Sequence, residues 1–211
     1  MVTAVAMRHF FSMFLLLAII GLHVSVQSTG RRSERSTHRK YKSVLTVSNG
    51  MYWGSWGDQD MCPSGMYAAG FSLRVEKHSP GHQFDDTSLN GIRLHCVYPS
   101  RVSSGAYVVS NAGHWGQWTD IKWCPSGFLK AFQLRVESAQ GSGDDTAANN
   151  IRFSCSDGVV LKGESTAWGD WGDWSSACDG RGICGIKTRV EEPQGNGDDT
   201  ALNDAQMYCC D

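Results

Sequence analysis

The sequence predicts an all-β protein built from three copies of one structural unit. Three observations support this prediction: an acidic motif occurs three times, apolar residues alternate with a period of two, and no segment beyond the N-terminal region keeps a helical period. The motif is Asp-Asp-Thr-x-x-Asn, and its copies begin at Asp85, Asp144 and Asp198. A cysteine lies eleven residues after the first aspartate of each copy. Internal repetition of this kind fixes the architecture before any single motif is interpreted.

The landmarks around the acidic motif recur in the same order. A Trp-Gly-x-Trp pair opens each copy, an early cysteine follows, and an Arg-Val-Glu triplet precedes the acidic motif. We therefore expect repeats at about residues 43–98, 105–157 and 158–211 within a single domain of residues 43–211. A chain of this size can bury well over half of its unfolded surface around one core.

Alternation identifies the strands. Phe71, Leu73 and Val75 fall on one face of an extended segment, and the polar residues between them fall on the other. Residues 132–136 and 186–190 repeat the pattern, as do the residues before each late cysteine. Three sheets of this kind can hide their apolar faces only against one another, which predicts a three-sided prism around an axis. A three-bladed propeller is the alternative, but propellers usually need more blades.

The first 28 residues are predicted to be a secretory signal peptide. Arg8 precedes an apolar run over residues 10–20 that is shorter than a membrane span requires, and Val26-Gln27-Ser28 provides a cleavage site. No later segment is long and apolar enough to cross a membrane. We therefore expect a secreted, extracellular protein without membrane insertion.

Charge divides the rest of the chain into a basic leader and an acidic body. Residues 29–42 contain six Lys and Arg against one Glu, a net charge of +5. This leader has almost no apolar residues and is expected to be flexible; a propeptide cut after Arg35 and an anchor to acidic glycans are the alternatives. From residue 43 onward, 12 Lys and Arg stand against 20 Asp and Glu, a net charge of −8. The acidic body argues against nucleic acid as the main partner.

All eight cysteines lie after the predicted signal peptide, and an even number in a secreted chain implies a disulfide framework. A zinc site is disfavoured because no Cys-x-x-Cys pair occurs, and we expect neither a metal nor another cofactor. Each copy has one early and one late cysteine, so the repeat symmetry pairs them within the copy. The proposed pairs are Cys62–Cys96, Cys124–Cys155 and Cys178–Cys209, which leaves Cys184 with Cys210.

The motifs together resemble the vitelline membrane outer layer protein I family. The resemblance rests on Trp-Gly-x-Trp, Cys-Pro-x-Gly, Leu-Arg-Val-Glu and Gly-Asp-Asp-Thr-Ala-x-Asn, and it covers nearly all of residues 44–211. It implies a β-prism of three Greek-key sheets with pseudo-threefold symmetry, in a secreted protein of egg coats and other secretions. Two departures occur: the first copy has Gln83-Phe84 before its aspartates, and the third copy carries an additional tryptophan.

The tryptophans are the first candidates for a binding site. The chain has eight, and because tryptophan is also the largest core side chain, we expect at least half of them to be buried. The third copy places Trp168, Trp171 and Trp174 close together, with Asp170 and Asp173 between them. Sugars stack on exposed aromatic faces while carboxylates bind their hydroxyls, so these tryptophans are the predicted carbohydrate platform. The glycine beside each indole would let a flat ligand approach closely.

The paired aspartates are the second candidates. Glycosidases use two carboxylates, but neighbouring residues of an extended segment point to opposite faces and a motif written three times suits symmetric packing better than one active site. Tight turns in which Asp, Thr and Asn satisfy backbone groups are therefore favoured. A carbohydrate site shared between sheets is the alternative, and its candidate ligands are Asp144, Asp145, Asp198 and Asp199.

The functional hypothesis is a non-catalytic, disulfide-stabilised component of an egg envelope or a mucus-like coat. Its expected partners are extracellular matrix or egg-coat glycoproteins. The alternative, which the family resemblance implies, is a carbohydrate-binding module or a weak transglycosylase acting on N-acetylglucosamine oligosaccharides. No residue is assigned a catalytic role.

Overall fold

The computed structural model describes residues 39–77, 88–100, 105–137, 148–192 and 201–211, together with the backbone of Arg31–Arg32. These residues form strands and turns, and among them no helix is long and apolar enough to span a membrane. In chain order the strands are β1 (Arg31–Arg32), β2 (Ser43–Leu45), β3 (Ser55–Trp56), β4 (Asp60–Met61), β5 (Tyr67–Val75), β6 (Leu89–Val97), β7 (Ala106–Val108), β8 (Gln117–Trp118), β9 (Lys122–Trp123), β10 (Leu129–Val136), β11 (Ala148–Cys155), β12 (Val160–Lys162), β13 (Asp170–Trp171), β14 (Gly182–Val190) and β15 (Leu202–Cys210).

Each of the three sheets is centred on one long antiparallel hairpin. Strand β5 pairs with β6 in sheet 1, β10 with β11 in sheet 2, and β14 with β15 in sheet 3. The alternating residues of both strands share a face because the register aligns them, as in the pairing of Leu73 with Ile92 and of Leu134 with Ile151. The predicted all-β fold with three sheets is confirmed.

Each hairpin is completed by short strands from the next copy of the repeat. The strand order is β7-β6-β5-β8 in sheet 1, with β1 parallel to β7 and β9 beside β5, and β12-β11-β10-β13 in sheet 2. Three consecutive strands followed by a fourth beside the first make a Greek key. Sheet 3 has the corresponding order β2-β15-β14-β3, with β4 beside β14, so the start of the chain completes the sheet formed by its end. The sheets are therefore offset from the sequence repeats, and the prism closes as a ring.

The apolar faces of the three hairpins meet in one core. Phe71, Phe132 and Phe153 are fully buried, and the ring of Phe153 lies 4.8 Å from that of Phe71 and 6.2 Å from that of Phe132 between centroids. Sheet 3 contributes smaller side chains to the same cluster, including Ile186 and Ala205. Burial of these side chains, at about 25 cal/mol per Å² of apolar surface, is the main force that holds the sheets together.

Four disulfides connect the described strands and turns, and they join the same cysteines that the repeat symmetry pairs. Three of them lie in the central core, whereas Cys184 and Cys210 belong to a second, smaller apolar cluster with Tyr67, Phe128 and Tyr208. Neighbouring residues of a strand face opposite sides, which is why Cys209 and Cys210 reach different partners. The bonds are Cys62–Cys96, Cys124–Cys155, Cys178–Cys209 and Cys184–Cys210.

The end of the basic leader differs from the expectation of a flexible segment over residues 29–42. Tyr41 packs edge-on against Tyr208 with ring centroids 4.8 Å apart, and Lys42 forms an ion pair of 3.2 Å with Asp211. Arg39 donates from Nη1 to three backbone carbonyls, those of Cys62 (3.1 Å), Pro63 (3.0 Å) and Met66 (2.6 Å). Sequence composition missed this docking because one guanidinium that binds a turn leaves no hydrophobic pattern.

Candidate functional site: aromatic residues on the outer faces

The glycine of each Trp-Gly-x-Trp pair is required by local packing. All three glycines have positive φ angles of 70–79°, a conformation that residues with a Cβ rarely adopt. A Cβ at any of them would also overlap the backbone of the neighbouring hairpin strand. The three contacts are Gly54 on Val190, Gly116 on Val75 and Gly169 on Val136. The sequence associated this glycine with close approach of a ligand, but the structure gives it a role within the fold.

The arginine of each Arg-Val-Glu triplet binds the turn at the Trp-Gly-x-Trp pair, which we call the tryptophan turn. Arg135 Nε donates to the carbonyl of Gly169 at 2.8 Å, and Arg189 Nε donates to that of Gly54 at 3.1 Å. Arg74 donates to the carbonyl of Gly113 at 2.9 Å and to that of His114. Each arginine thus connects one copy of the repeat to the tryptophan turn of the next.

The prediction that at least half of the tryptophans are buried is wrong. None of the eight is buried, and three of them, Trp56, Trp118 and Trp171, are half-buried. Four of the eight lie on short strands at the sides of the sheets and the other four lie outside the strands, while the hairpins fill the core with Phe, Leu and Ile. The exposed ones are Trp53 (56%), Trp115 (50%), Trp123 (41%), Trp174 (40%) and Trp168 (37%).

On sheet 2, the predicted platform is organised by an arginine. The guanidinium carbon of Arg152 lies 4.5 Å from the ring centroid of Trp171 and 5.3 Å from that of Trp174. Two of the three tryptophans of the predicted platform, Trp171 and Trp174, therefore contact the same guanidinium. Trp168 precedes them beside Gly169 and is exposed as well. Cation–π contacts of this kind add about 0.5–1 kcal/mol each at exposed sites and orient the rings.

On sheet 1, the corresponding face is more buried. Arg93 lies between Tyr107 and Trp118, at 4.3 Å and 3.9 Å from their ring centroids. His95 is 4% exposed, and its Nε2 lies 3.0 Å from the hydroxyl of Ser72. Burial, followed by the charge of Arg93, lowers the pKa of His95 to about 4. The imidazole is therefore neutral at neutral pH, and it contacts Ser72 and the ring of Trp123 within the fold.

On sheet 3, the guanidinium at this position is replaced by an amide. Gln206 stands where Arg93 and Arg152 lie, and the ammonium of Lys187 approaches the ring of Trp56 at 5.8 Å instead. The three outer faces thus share a fold but carry different chemistry. Sequence reasoning missed Arg93 and Arg152. Each lies between two apolar residues that face the core, so the alternation of the strand places the arginine on the outward side.

The predicted aspartate ligands Asp144, Asp145, Asp198 and Asp199 lie outside the described residues, and their role stays a prediction. The asparagine that ends each motif is described and fully buried. Asn149 accepts a hydrogen bond of 2.9 Å from the hydroxyl of Thr166, and the carbonyl of Asn203 accepts one of 2.9 Å from the N–H of Met51. These asparagines, together with Asn90, lie in strands and anchor the segment that precedes the next tryptophan pair. The tight turn expected for the rest of the motif stays a prediction.

One carboxyl beside this motif has an altered acidity. Asp204 follows the third motif and packs its carboxylate against Gly50 of the first copy. Its Oδ1 accepts a hydrogen bond of 2.7 Å from the N–H of Ala205. Burial raises the pKa of Asp204 to about 6, although that hydrogen bond and the charge of Arg189 act in the opposite direction. This carboxyl therefore titrates within the physiological range.

Known proteins match the sequence over most of its length. The family model for Vitelline membrane outer layer protein I matches residues 43–211. A vitelline membrane outer layer protein 1 homolog of Homo sapiens is 47% identical over 194 residues, which cover 91% of this chain and 95% of the human protein. The Mus musculus homolog is 48% identical over 172 residues, with coverage of 81% and 85%.

Two solved structures share the architecture. Calystegia sepium agglutinin superposes with a TM-score of 0.51 at 10% identity, covering 81% of this chain and 97% of the agglutinin. Calsepa lectin in complex with bisected glycan gives a TM-score of 0.51 at 9% identity, with coverage of 82% and 99%. At this level of identity the likeness shows the β-prism fold alone.

Proposed function

Because the chain belongs to the vitelline membrane outer layer protein I family, we propose that it is a secreted, non-catalytic component of an extracellular layer such as an egg envelope or a mucus-like coat. The observation that carries the proposal is the ring of three sheets, in which every hairpin is completed by the next copy and four disulfides connect the strands. No sheet can open without breaking contacts with another copy. A protein built in this way suits a layer exposed to proteases.

Limited proteolysis tests the structural part of the proposal. The mature protein is incubated with trypsin, with and without a reductant, and the fragments are identified by mass spectrometry. We expect residues 43–211 to stay intact under oxidising conditions and to be digested after reduction, because each disulfide removes about 3–4 kcal/mol of unfolded-state freedom. Rapid cleavage within the sheets while the disulfides are intact contradicts the proposal.

Binding to the layer itself is tested separately. We expect the oxidised protein to co-sediment with a gel of extracellular glycoprotein and to be released when soluble glycoprotein competes. A matched sample of reduced, alkylated protein controls for nonspecific adhesion of the acidic chain. If the folded and unfolded samples are retained equally, the fold has no part in attachment.

Oligosaccharide binding is the second candidate function, and the exposed tryptophans favour it. Trp174 presents exposed surface beside Arg152, and Trp168 is exposed in the same copy of the repeat, which is a suitable arrangement for stacking on a sugar. The fold likeness to a lectin whose structure contains a bisected glycan agrees with this candidate. Titration of chito-oligosaccharides, followed by tryptophan fluorescence, tests it: quenching that is lost in Trp174→Ala and kept in Trp53→Ala supports the platform. Release of shorter sugars, abolished by Asp144→Asn, would instead indicate catalysis.

A further inference from the structure

The three places where a tryptophan turn meets the next sheet are equivalent in the fold but not in sequence. Each junction brings two residues together. One directly follows the second tryptophan of a Trp-Gly-x-Trp pair, and the other lies four positions before the first tryptophan of the next pair around the ring. At two junctions these residues are a glycine and an asparagine, and the asparagine side chain occupies the space that a Cβ on the glycine would need. The two pairs are Gly57 with Asn111 and Gly172 with Asn49. Side chains fill both of these junctions.

At the third junction both residues are changed. Thr119 replaces the glycine, and its hydroxyl oxygen accepts a hydrogen bond of 3.1 Å from the N–H of Leu73. Glu164 replaces the asparagine and turns outward, where its carboxylate forms an ion pair with Lys122. The side chain that fills the other junctions is therefore absent from this one.

An open cleft of about 960 Å³ lies at this third junction. We call it the junction cleft; it is lined by residues 75–77, 116–119 and 162–166 of three different copies of the repeat. Its volume is at the upper end of the range of about 300–1,000 Å³ that ligand pockets occupy, so a ligand larger than one sugar ring fits. Trp118 forms one wall, and Arg93, 3.9 Å from its ring centroid, holds the indole in position.

The junction cleft lacks the negative charge that prevails on the body. Lys77 and Lys162 line it together with Glu76 and Glu164, and the ion pair with Lys122 offsets the charge of Glu164. The four charged lining residues sum to zero, and Lys122, which lies outside the lining, neutralises Glu164 and leaves two lysines against one glutamate, whereas the body has a net charge of −8. Neutral hydrogen-bonding groups, the hydroxyl of Ser165 and the amide of Gln117 among them, line the rest.

We propose that the junction cleft binds a short oligosaccharide that carries an acidic group, a carboxylate or a sulfate. The ammonium groups of Lys77 and Lys162 meet the acidic group, the indole of Trp118 packs against a sugar ring, and the hydroxyl and amide groups bind sugar hydroxyls. This inference rests on the second candidate function, oligosaccharide binding, but it assigns the ligand to a different place from the Trp168–Trp174 platform.

The test compares 3′-sialyllactose and a sulfated lactose with lactose, using isothermal titration calorimetry on the full mature chain. We expect both acidic sugars to bind at least about tenfold more tightly than lactose, because charge-assisted hydrogen bonds are the stronger ones. Binding should weaken as salt is raised. Equal affinity for lactose and its acidic forms overturns the proposal.

A double variant separates the cleft from the platform. Thr119→Gly with Glu164→Asn recreates the residue pair of the other two junctions, so it should fold and place an asparagine side chain in the cleft beside Trp118. Near-UV circular dichroism checks the fold. We expect it to lose about tenfold or more in affinity for 3′-sialyllactose, as should Lys162→Gln. Lys187→Gln, a lysine on the outer face of sheet 3, is the matched control and should bind normally.

The outcomes distinguish the two proposals. If 3′-sialyllactose binds the double variant as well as the wild type, oligosaccharide binding stands and the cleft assignment fails. If no acidic, neutral or chito-oligosaccharide probe binds at millimolar concentration, both the cleft assignment and the second candidate function fail.

Discussion

His95 gives a quantitative test of the buried outer face of sheet 1. The imidazole is 4% exposed, contacts Ser72 and lies 5.6 Å from Trp123 between ring centroids. Its pKa is lowered to about 4 by burial and by Arg93, whereas an unfolded histidine titrates near pH 6.5. Between these values the unfolded chain binds a proton that the folded chain does not bind. The contribution of His95 to the free energy of unfolding must therefore fall as pH is lowered from about 6.5 to about 4.

The size of this effect follows from the pKa difference. A difference of about 2.5 pH units, at about 1.36 kcal/mol per unit, corresponds to about 3.4 kcal/mol over the whole window. The perturbation is His95→Gln, which keeps a hydrogen-bonding group for Ser72 but cannot be protonated. All other groups titrate in both proteins, so their contributions cancel in the difference.

The assay is guanidinium chloride unfolding with intact disulfides, followed by tryptophan fluorescence at several pH values from 7.5 to about 4. We expect the wild type to lose about 3 kcal/mol more stability than His95→Gln over this interval. Parallel stability curves for the two proteins would refute the inference that His95 is buried in its neutral form.

Three further predictions concern the third copy. Asp204→Asn should remove a pH dependence of stability that is opposite in sign to that of His95. Because the pKa of Asp204 is raised to about 6, its contribution to the wild type's free energy of unfolding falls as pH rises from about 4 to 6, by about 1–2 kcal/mol once partial exposure is allowed for. Guanidinium chloride unfolding at several pH values measures this difference. Ala201→Gly should cost about 1–2 kcal/mol less free energy of unfolding than Ala205→Gly, because Ala201 has a φ of 46° and glycine relieves left-handed strain only there, whereas Ala205 is fully buried. Equal losses of stability in urea unfolding would contradict this prediction. Replacing Cys184 and Cys210 together by serine should cost about 3.5 kcal/mol for a separation of 26 residues, and an unchanged unfolding midpoint would exclude any stabilising role for that bond.

Alternation in the sequence was sufficient to predict the hairpins and the core. The apolar positions from Phe71 to Val75, and the equivalent ones in the other copies, are buried on the inner face because a period of two leaves no other arrangement. The direction of the cysteines follows from the same rule, since Cys209 and Cys210 are neighbours and must face opposite sides.

The exchange of short strands between copies could not be predicted in the same way. A repeat marks a unit of sequence, and strands such as β8 are two residues long, too short for a periodic pattern to reveal their partner. The tryptophans misled the prediction for a related reason. Hydrophobicity favoured burial of Trp118, but its neighbour Arg93 lies on the outward side, and a cation there provides contact for the indole without a place in the core.

The outward turn of Glu164 was also beyond sequence reasoning. Without the fold, nothing connects this residue with Thr119, which lies 45 positions earlier in the chain. Only the packing of Asn49 and Asn111 against glycine at the equivalent junctions shows that the pair is exceptional. Comparison of the three junctions in the structure therefore identifies the substitution at Thr119 and Glu164, which comparison of the sequence repeats did not.

The closure of sheet 3 has a consequence for biosynthesis. Strand β2 leaves the ribosome early, yet its partner β15 begins at Leu202, more than 150 residues later in the chain. Strand β2 therefore lacks its partner until β15 has been synthesised. Throughout that interval the nascent chain depends on the chaperones and oxidoreductases of its compartment, and a chain truncated before β15 leaves β2 with no strand to pair with.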